Sequence, residues 1–278
     1  MLVNLCDVLG KAKAEGYAVG LFNTTDSDLL EAVIAAAAEL RAPVIIGTAE
    51  ILLPYGELKL IAPSMLAAAK RATVPVVMHY DHGLTFDRCI EALKLGFSSV
   101  MFDGSLADSE ANEAATREIV KIAHSFGASV EGEIGHVGNA DVGDENQTDS
   151  YTTPEEAEAF IRSTGVDALA VAIGTAHGVY KSKPKLNIER LKEIRDRVEA
   201  PLVLHGGSGL SDDDFRNTVK GGIAKVNIFT DLCLAGAKAM EEGLSRGLGY
   251  LEIRNLKVEY IKEAVKAKIR LFGSEGKA

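Results

Sequence analysis

The sequence predicts an α/β fold, a (β/α)8 TIM barrel. Two observations carry this. Eight short apolar, β-rich runs recur along the chain at 17–23, 42–48, 74–83, 98–105, 129–138, 168–174, 200–209 and 224–231, with helical patterns between them. The runs are apolar at nearly every position, as expected of parallel strands buried on both faces. A doubly wound open sheet is the competing architecture, but eight evenly spaced units favour closure.

The intervening helices carry readable signals. Asp26 or Ser27 precedes a stretch whose Leu29, Leu30, Val33, Ile34 and Ala37 share one face. "TPEE" (153–156) reads as a capping box, with Thr153 at the N-cap, Pro154 at the first helical position and Glu156 reaching back; that helix ends near Gly165. Ser211 caps "DDDFRNTVKGG", whose acidic first turn suits the helix dipole. The longest polar loop, "GNADVGDENQTDSY" (138–151), is of a length that is usually functional. No linker or repeat interrupts the alternation, so residues 1–278 are expected to form a single barrel domain.

Bulk properties exclude several function classes. The 278 residues are 47% hydrophobic, enough to bury one large core. A net charge of −10 and a pI near 5.2 make nucleic acid an unsuitable partner, since phosphate backbones need a basic face. The three cysteines are scattered and form no CxxC pair, which fits a reducing compartment. Neither a signal peptide nor an apolar run of about 18 residues is recognised, so a cytoplasmic protein with no membrane partner is expected.

In a barrel of this kind the chemistry sits at the C-terminal ends of the strands. Those ends carry Asn23, then Asp81-His82, then Asp103-Gly104-Ser105, then Glu131, Glu133 and His136. They continue with His177 in "GTAHG", His205 followed by "GGSG", and finally Asn227 and Thr230-Asp231. His82, His177 and His205 come from three different strands, and each precedes a glycine. Any one of them alone reads best as a satisfied, partly buried histidine. Three at equivalent strand ends read instead as a catalytic zinc site with one open position. Asp81 beside such a metal is placed to shuttle protons; the alternative is that it orients a neighbouring imidazole. His79 and His124 read as structural, and His136 is assigned neither way. The glycine-rich turn after strand 7 and the end of strand 8 occupy the usual phosphate position of these barrels.

These residues resemble the zinc-dependent class II fructose-bisphosphate and tagatose-bisphosphate aldolases. The matching motifs are "HYDHG" (79–83), "DGS" (103–105), "VEGEIG" (130–135), "AIGTAHGVY" (172–180), "LVLHGGSG" (202–209) and "KVNIFTD" (225–231), and the likeness spans nearly the whole chain. The resemblance implies Zn2+ on His82, His177 and His205, with Glu133 a carboxylate to which the ion can shift. It implies that Asp81 moves the proton at the bond being broken. Gly178, Gly206, Ser208, Asn227 and Thr230 would hold the phosphate of dihydroxyacetone phosphate, with Gly207, Ile228 and Phe229 nearby and a monovalent cation (Na+ or K+) assisting. Asn23 would lie near the substrate. An acid in the long loop would exchange the carbanion proton: Asp141 by ungapped position, with Asp144 and Glu145 as alternatives. A homodimer or homotetramer acting on a small-molecule sugar phosphate is expected.

The sequence departs from the bisphosphate-specific pattern at the far end of the substrate. Ala49 stands where relatives have a serine, and Leu248 where they have an arginine that reaches across a subunit contact. Arg246 and Arg254 are the candidates to replace it. A ketose 1-phosphate with an unphosphorylated tail, or one ending in another polar group such as a carboxylate, is therefore expected to be preferred. Tyr80 replaces a leucine, with packing as its expected role, and Lys225 is the lysine to check for an imine mechanism. Two rival readings are a zinc hydrolase on the same barrel and a non-catalytic sugar-phosphate binding protein.

Overall fold

A computed structural model describes residues 1–135, 137–139, 151–178 and 184–278. Its eight principal strands are β1 (Val19–Asn23), β2 (Val44–Ala49), β3 (Val76–Gly83), β4 (Ser99–Phe102), β5 (Ser129–Ile134), β6 (Ala168–Val171), β7 (Leu202–Leu204) and β8 (Ile223–Ile228). Each pairs in parallel with the next, and β8 returns to β1 through Lys225↔Val19 and Ile228↔Phe22. The sheet is therefore a closed barrel, and the open-sheet alternative is set aside. Six strands lie inside their sequence-predicted runs, and β2 and β8 each extend one residue beyond, at Ala49 and Ile223.

Ten α-helices accompany the described strands: α1 (Leu5–Glu15), α2 (Ser27–Glu39), α3 (Leu58–Arg71), α4 (Phe86–Lys94), α5 (Ser109–Ser125), α6 (Pro154–Thr164), α7 (Ile188–Arg197), α8 (Asp212–Gly221), α9 (Thr230–Ser245) and α10 (Tyr250–Leu271). The caps follow the sequence signals. Asp26 accepts from the amides of Asp28 and Leu29 at 2.9 and 2.8 Å. Thr153 and Ser211 each complete a capping box, and Gly165 ends α6 in the left-handed conformation.

Period-two alternation sorts the side chains. Along β3, Val76, Met78 and Tyr80 pack outward against the helices, whereas Val77 joins the interior cluster. That interior cluster, with Val19, Leu21, Ile45, Ala168, Ala170 and Val203, is closed at the N-terminal end of the barrel by Leu5, Val8 and Leu9 of α1. Towards the C-terminal end the interior turns polar: His79, Glu131 and Lys225 are fully buried, and Asp81, Glu133 and His205 are at most 2% exposed. A barrel whose lower interior is apolar and whose upper interior is charged has one functional mouth.

Candidate active site

Asp81 and His82 are sequence neighbours, so simple alternation would send them to opposite faces of β3. Two features change that. The β3–β4 pairing slips between Tyr80 and Gly83. His82 also takes a positive φ of 42°, a conformation that costs a non-glycine residue energy and clusters at functional sites. Both side chains consequently line one cavity of about 320 Å3 at the barrel mouth.

That cavity gathers the sequence-predicted residues Asn23, Asp81, His82, Glu133, His177, Gly178, Gly206, Gly207, Ser208, Asn227, Ile228, Phe229 and Thr230. His205 lies behind its wall, with its ring edge-on to His82 at 4.5 Å between centroids. Asp141, with its alternatives Asp144 and Glu145, lies outside the described residues, as does His136.

The three histidines meet a metal site's requirements. One ring nitrogen of each lies within 4.8 Å of those of the other two. His82 Nε2 and His177 Nε2 are buried without a hydrogen-bond partner, and His205 Nδ1, beside them, faces the Glu133 carboxylate. Leaving such a buried nitrogen unpaired costs about 1–3 kcal/mol, so their convergence fits a ligand that all three share. The far nitrogens of two rings are held by carboxylates: His82 Nδ1 by Asp103 Oδ2 at 2.7 Å, and His205 Nε2 by Glu131 Oε1 at 2.8 Å. This carboxylate–histidine pairing fixes the tautomer and turns the free nitrogen inward. Glu133 Oε2, also without a hydrogen bond, is 3.0 Å from His205 Nδ1.

The electrostatics follow from this packing. Burial and the neighbouring His82 depress His177 to about 3. Burial would depress His205 as well, but Glu131 and Glu133 outweigh it and push that imidazole up to about 10. Burial opposes ionisation of Asp81, yet the fields of His82, Lys225 and His205 prevail and hold its carboxyl well below the usual range. Asp81 also accepts from Asn23 Nδ2 at 2.9 Å and from Asn227 Nδ2 at 3.0 Å.

The phosphate-type end is built from β7, β8 and α9. Gly206 has φ 64°, and a Cβ there would stand 2.3 Å from the Ala176 carbonyl oxygen, so only glycine fits. Ser208 Oγ accepts from the amides of Phe229 and Asp231 at 3.3 and 3.4 Å, at the start of α9. A helix N-terminus opening on glycine-rich backbone favours an anion.

The opposite side of the mouth is apolar. Ala49, Ile51, Leu52, Leu84 and Leu106 line it, and no lysine or arginine among the described residues does. Arg254 is held by Asp28 and Glu31, and Arg246 by Glu242 at 2.9 Å, so neither reaches the cavity of its own chain. Glu50 turns away as well: its carboxylate accepts from the Leu84 amide at 2.8 Å and faces the Tyr80 hydroxyl at 3.4 Å. Tyr80 thus tethers Glu50 in addition to packing on Phe97. Lys225 is fully buried and does not line the mouth cavity, an unsuitable position for forming an imine with substrate. His79 donates or accepts at Ser99 Oγ (2.7 Å) inside the barrel, and His124 pairs with Asp167 at the surface.

Sequence reasoning did not assign Glu131 or Asp103 a role at the site, and the pairing of Asp103 with His82 has no local signal. Glu131 could have been suspected from its spacing: it lies two residues before Glu133 on a strand, and so on the same face.

Comparison with known proteins agrees with this geometry. The profile of the family described as "Fructose-bisphosphate aldolase class-II" matches residues 3–277. The uncharacterized protein YdjI of Escherichia coli K12 is 43% identical over 263 residues, covering 94% of each chain. The fructose-bisphosphate aldolase of Thermus caldophilus is 38% identical, covering 100% of both chains. The crystal structure of the E. coli YdjI aldolase superposes with a TM-score of 0.89 at 37% identity over 100% of each chain.

Proposed function

This chain belongs to the class-II fructose-bisphosphate aldolase family of aldehyde-lyases, and on that premise we propose that it is a zinc-dependent enzyme cleaving a ketose 1-phosphate reversibly to dihydroxyacetone phosphate and an aldehyde. The observation that carries the reading is the convergence of three buried imidazole nitrogens beside the buried carboxylate of Asp81.

Zn2+ held by His82, His177 and His205, with Glu133 in reserve, would supply the Lewis acid that polarises the ketone. The protein's own groups do the rest. Asp81, held between Asn23 and Asn227, takes the C4 hydroxyl proton on cleavage and returns it on condensation. Backbone amides around Gly178, Gly206, Gly207 and Ile228–Phe229, with Ser208, Asn227 and Thr230, hold the phosphate, aided by a monovalent cation. Asp141 is the first candidate for exchanging the carbanion proton. The hydrolase alternative is disfavoured by the match of the aldolase family over residues 3–277. A binding protein would need no buried carboxylate beside three converging histidines.

The apolar wall opposite the phosphate end favours an aldehyde with an uncharged tail over one ending in phosphate or carboxylate. A distal phosphate needs charge-assisted hydrogen bonds, and no described residue of that wall supplies them. The barrel would work as one domain in a cytoplasmic homodimer or homotetramer. The test is condensation of dihydroxyacetone phosphate with a panel of aldehydes by the metal-loaded protein. Turnover of uncharged aldehydes supports the reading, and no condensation with any of them overturns it.

A further inference from the structure

The mouth residues are tied together from below by a buried cation that no step above employs. Lys225 Nζ lies 2.8 Å from Glu131 Oε2 and donates to Asn227 Oδ1 at 2.8 Å. Asn227 Nδ2 in turn donates to Asp81 Oδ1 at 3.0 Å. Glu131 also holds His205 at 2.8 Å through its other oxygen. Lys225, Glu131 and His205 are fully buried, Asp81 is 2% exposed and Asn227 is 7% exposed.

The chemistry of these groups allows one arrangement only. An ammonium can donate but not accept, and an ionised carboxylate can accept but not donate. With Lys225 on one side and Asp81 on the other, the Asn227 amide has a single orientation, oxygen to the lysine and nitrogen to the aspartate. Without the ammonium, the Asn227 oxygen loses the donor that anchors it, and the amide is free to swing, so that Asp81 loses a well-aimed donor. The ammonium is itself fixed, because Glu131 pins it and a buried charge is retained only beside a partner.

We propose that Lys225 is a positioning residue of the aldol reaction: it locks the Asn227 amide so that Asp81 is aimed at the proton it moves. This rests on the aldolase reading, in which Asp81 serves the C4 hydroxyl. Exchange of a carbon-bound proton of dihydroxyacetone phosphate with solvent involves no C4 hydroxyl, so it bypasses Asp81. That separates a role exercised through Asp81 from general support of the site.

The experiment compares parent and Lys225→Met, both loaded with zinc, in ketose 1-phosphate cleavage and in proton exchange of dihydroxyacetone phosphate. In the variant, kcat for cleavage should fall roughly 10- to 100-fold, the usual size for a misaimed group. With zinc at saturation, KM and the exchange rate should stay within about threefold of the parent, well under the roughly hundredfold that a misplaced reacting group can cost. Should the methionine variant not fold, Lys225→Arg is read the same way, since its longer side chain displaces the donor; cleavage must again fall by a larger factor than exchange. Equal loss in both reactions, or no loss in either, overturns the proposal. A parent that performs neither reaction sinks the aldolase reading itself, whereas an active parent with an unchanged ratio in the variant sinks only the role of Lys225.

Discussion

His82 Nδ1 stands 2.7 Å from Asp103 Oδ2, and Asp103 is in turn held by the Ser105 hydroxyl at 2.7 Å. The chain of contacts runs from the end of β4 to a strained residue at the end of β3. It fixes which nitrogen of His82 points into the mouth. Removing the carboxylate should therefore loosen the metal without touching a ligand. Asp103→Ala is expected to weaken zinc binding about 10- to 100-fold, measured by competition with a chromogenic chelator. Unchanged affinity would show that backbone geometry alone orients the ring.

Asp81 makes a different prediction. Asp81→Ala should keep its zinc and lose roughly 10²- to 10⁴-fold in kcat, the range of a general acid–base group. Steady-state kinetics alongside metal analysis decides. A variant that loses zinc while turnover per bound metal stays constant would make Asp81 a support of the ligands instead.

The apolar far wall predicts substrate preference. The kcat/KM for fructose 1,6-bisphosphate should be lower than for a ketose 1-phosphate of matched length. Leu106→Arg, which adds a cation at the exposed edge of that wall, should narrow the gap. A parent that prefers the bisphosphate would show that a cation from elsewhere, such as a neighbouring subunit, completes the site.

Stability near α2 should depend on acid. Burial would raise the Asp28 carboxyl, but Lys257 and Arg254 on α10 outweigh it and hold it below its ordinary value of 3.8. A depressed native pKa gives stability that is present above the unfolded value and lost as pH falls through the native one. Asp28→Asn should thus cost about 1 kcal/mol at neutral pH and progressively less as pH falls below 3.8 through the native value. Denaturant titrations at neutral and acidic pH check this; an equal cost at both would mean that packing, not charge, ties the helices.

The barrel was legible because its strands are short apolar runs of fixed spacing, and the caps because Asp26, Thr153 and Ser211 act within four residues. His82, His177 and His205 stood out because strand ends followed by glycine are rare places for an imidazole. The network beneath them was not legible. Glu131 and Lys225 sit inside β5 and β8, where apolar neighbours mask them, and their pairing spans 94 positions of the chain. The conformation of His82 has no sequence signal, since its positive φ belongs to the slip between β3 and β4. The surroundings of Arg254 were not legible either: folding places it beside Asp28 and Glu31, more than 220 positions away in the chain.

The central claim is that three histidines, and no lysine, activate the substrate. The most direct measurement is aldol cleavage after exhaustive chelation, with zinc then restored, and with borohydride added during turnover in a parallel sample. The account predicts that activity disappears on chelation, returns with about one zinc per chain as one three-histidine site requires, and leaves no substrate attached to protein. Full activity without metal, or reductive trapping of substrate on a lysine, would contradict it.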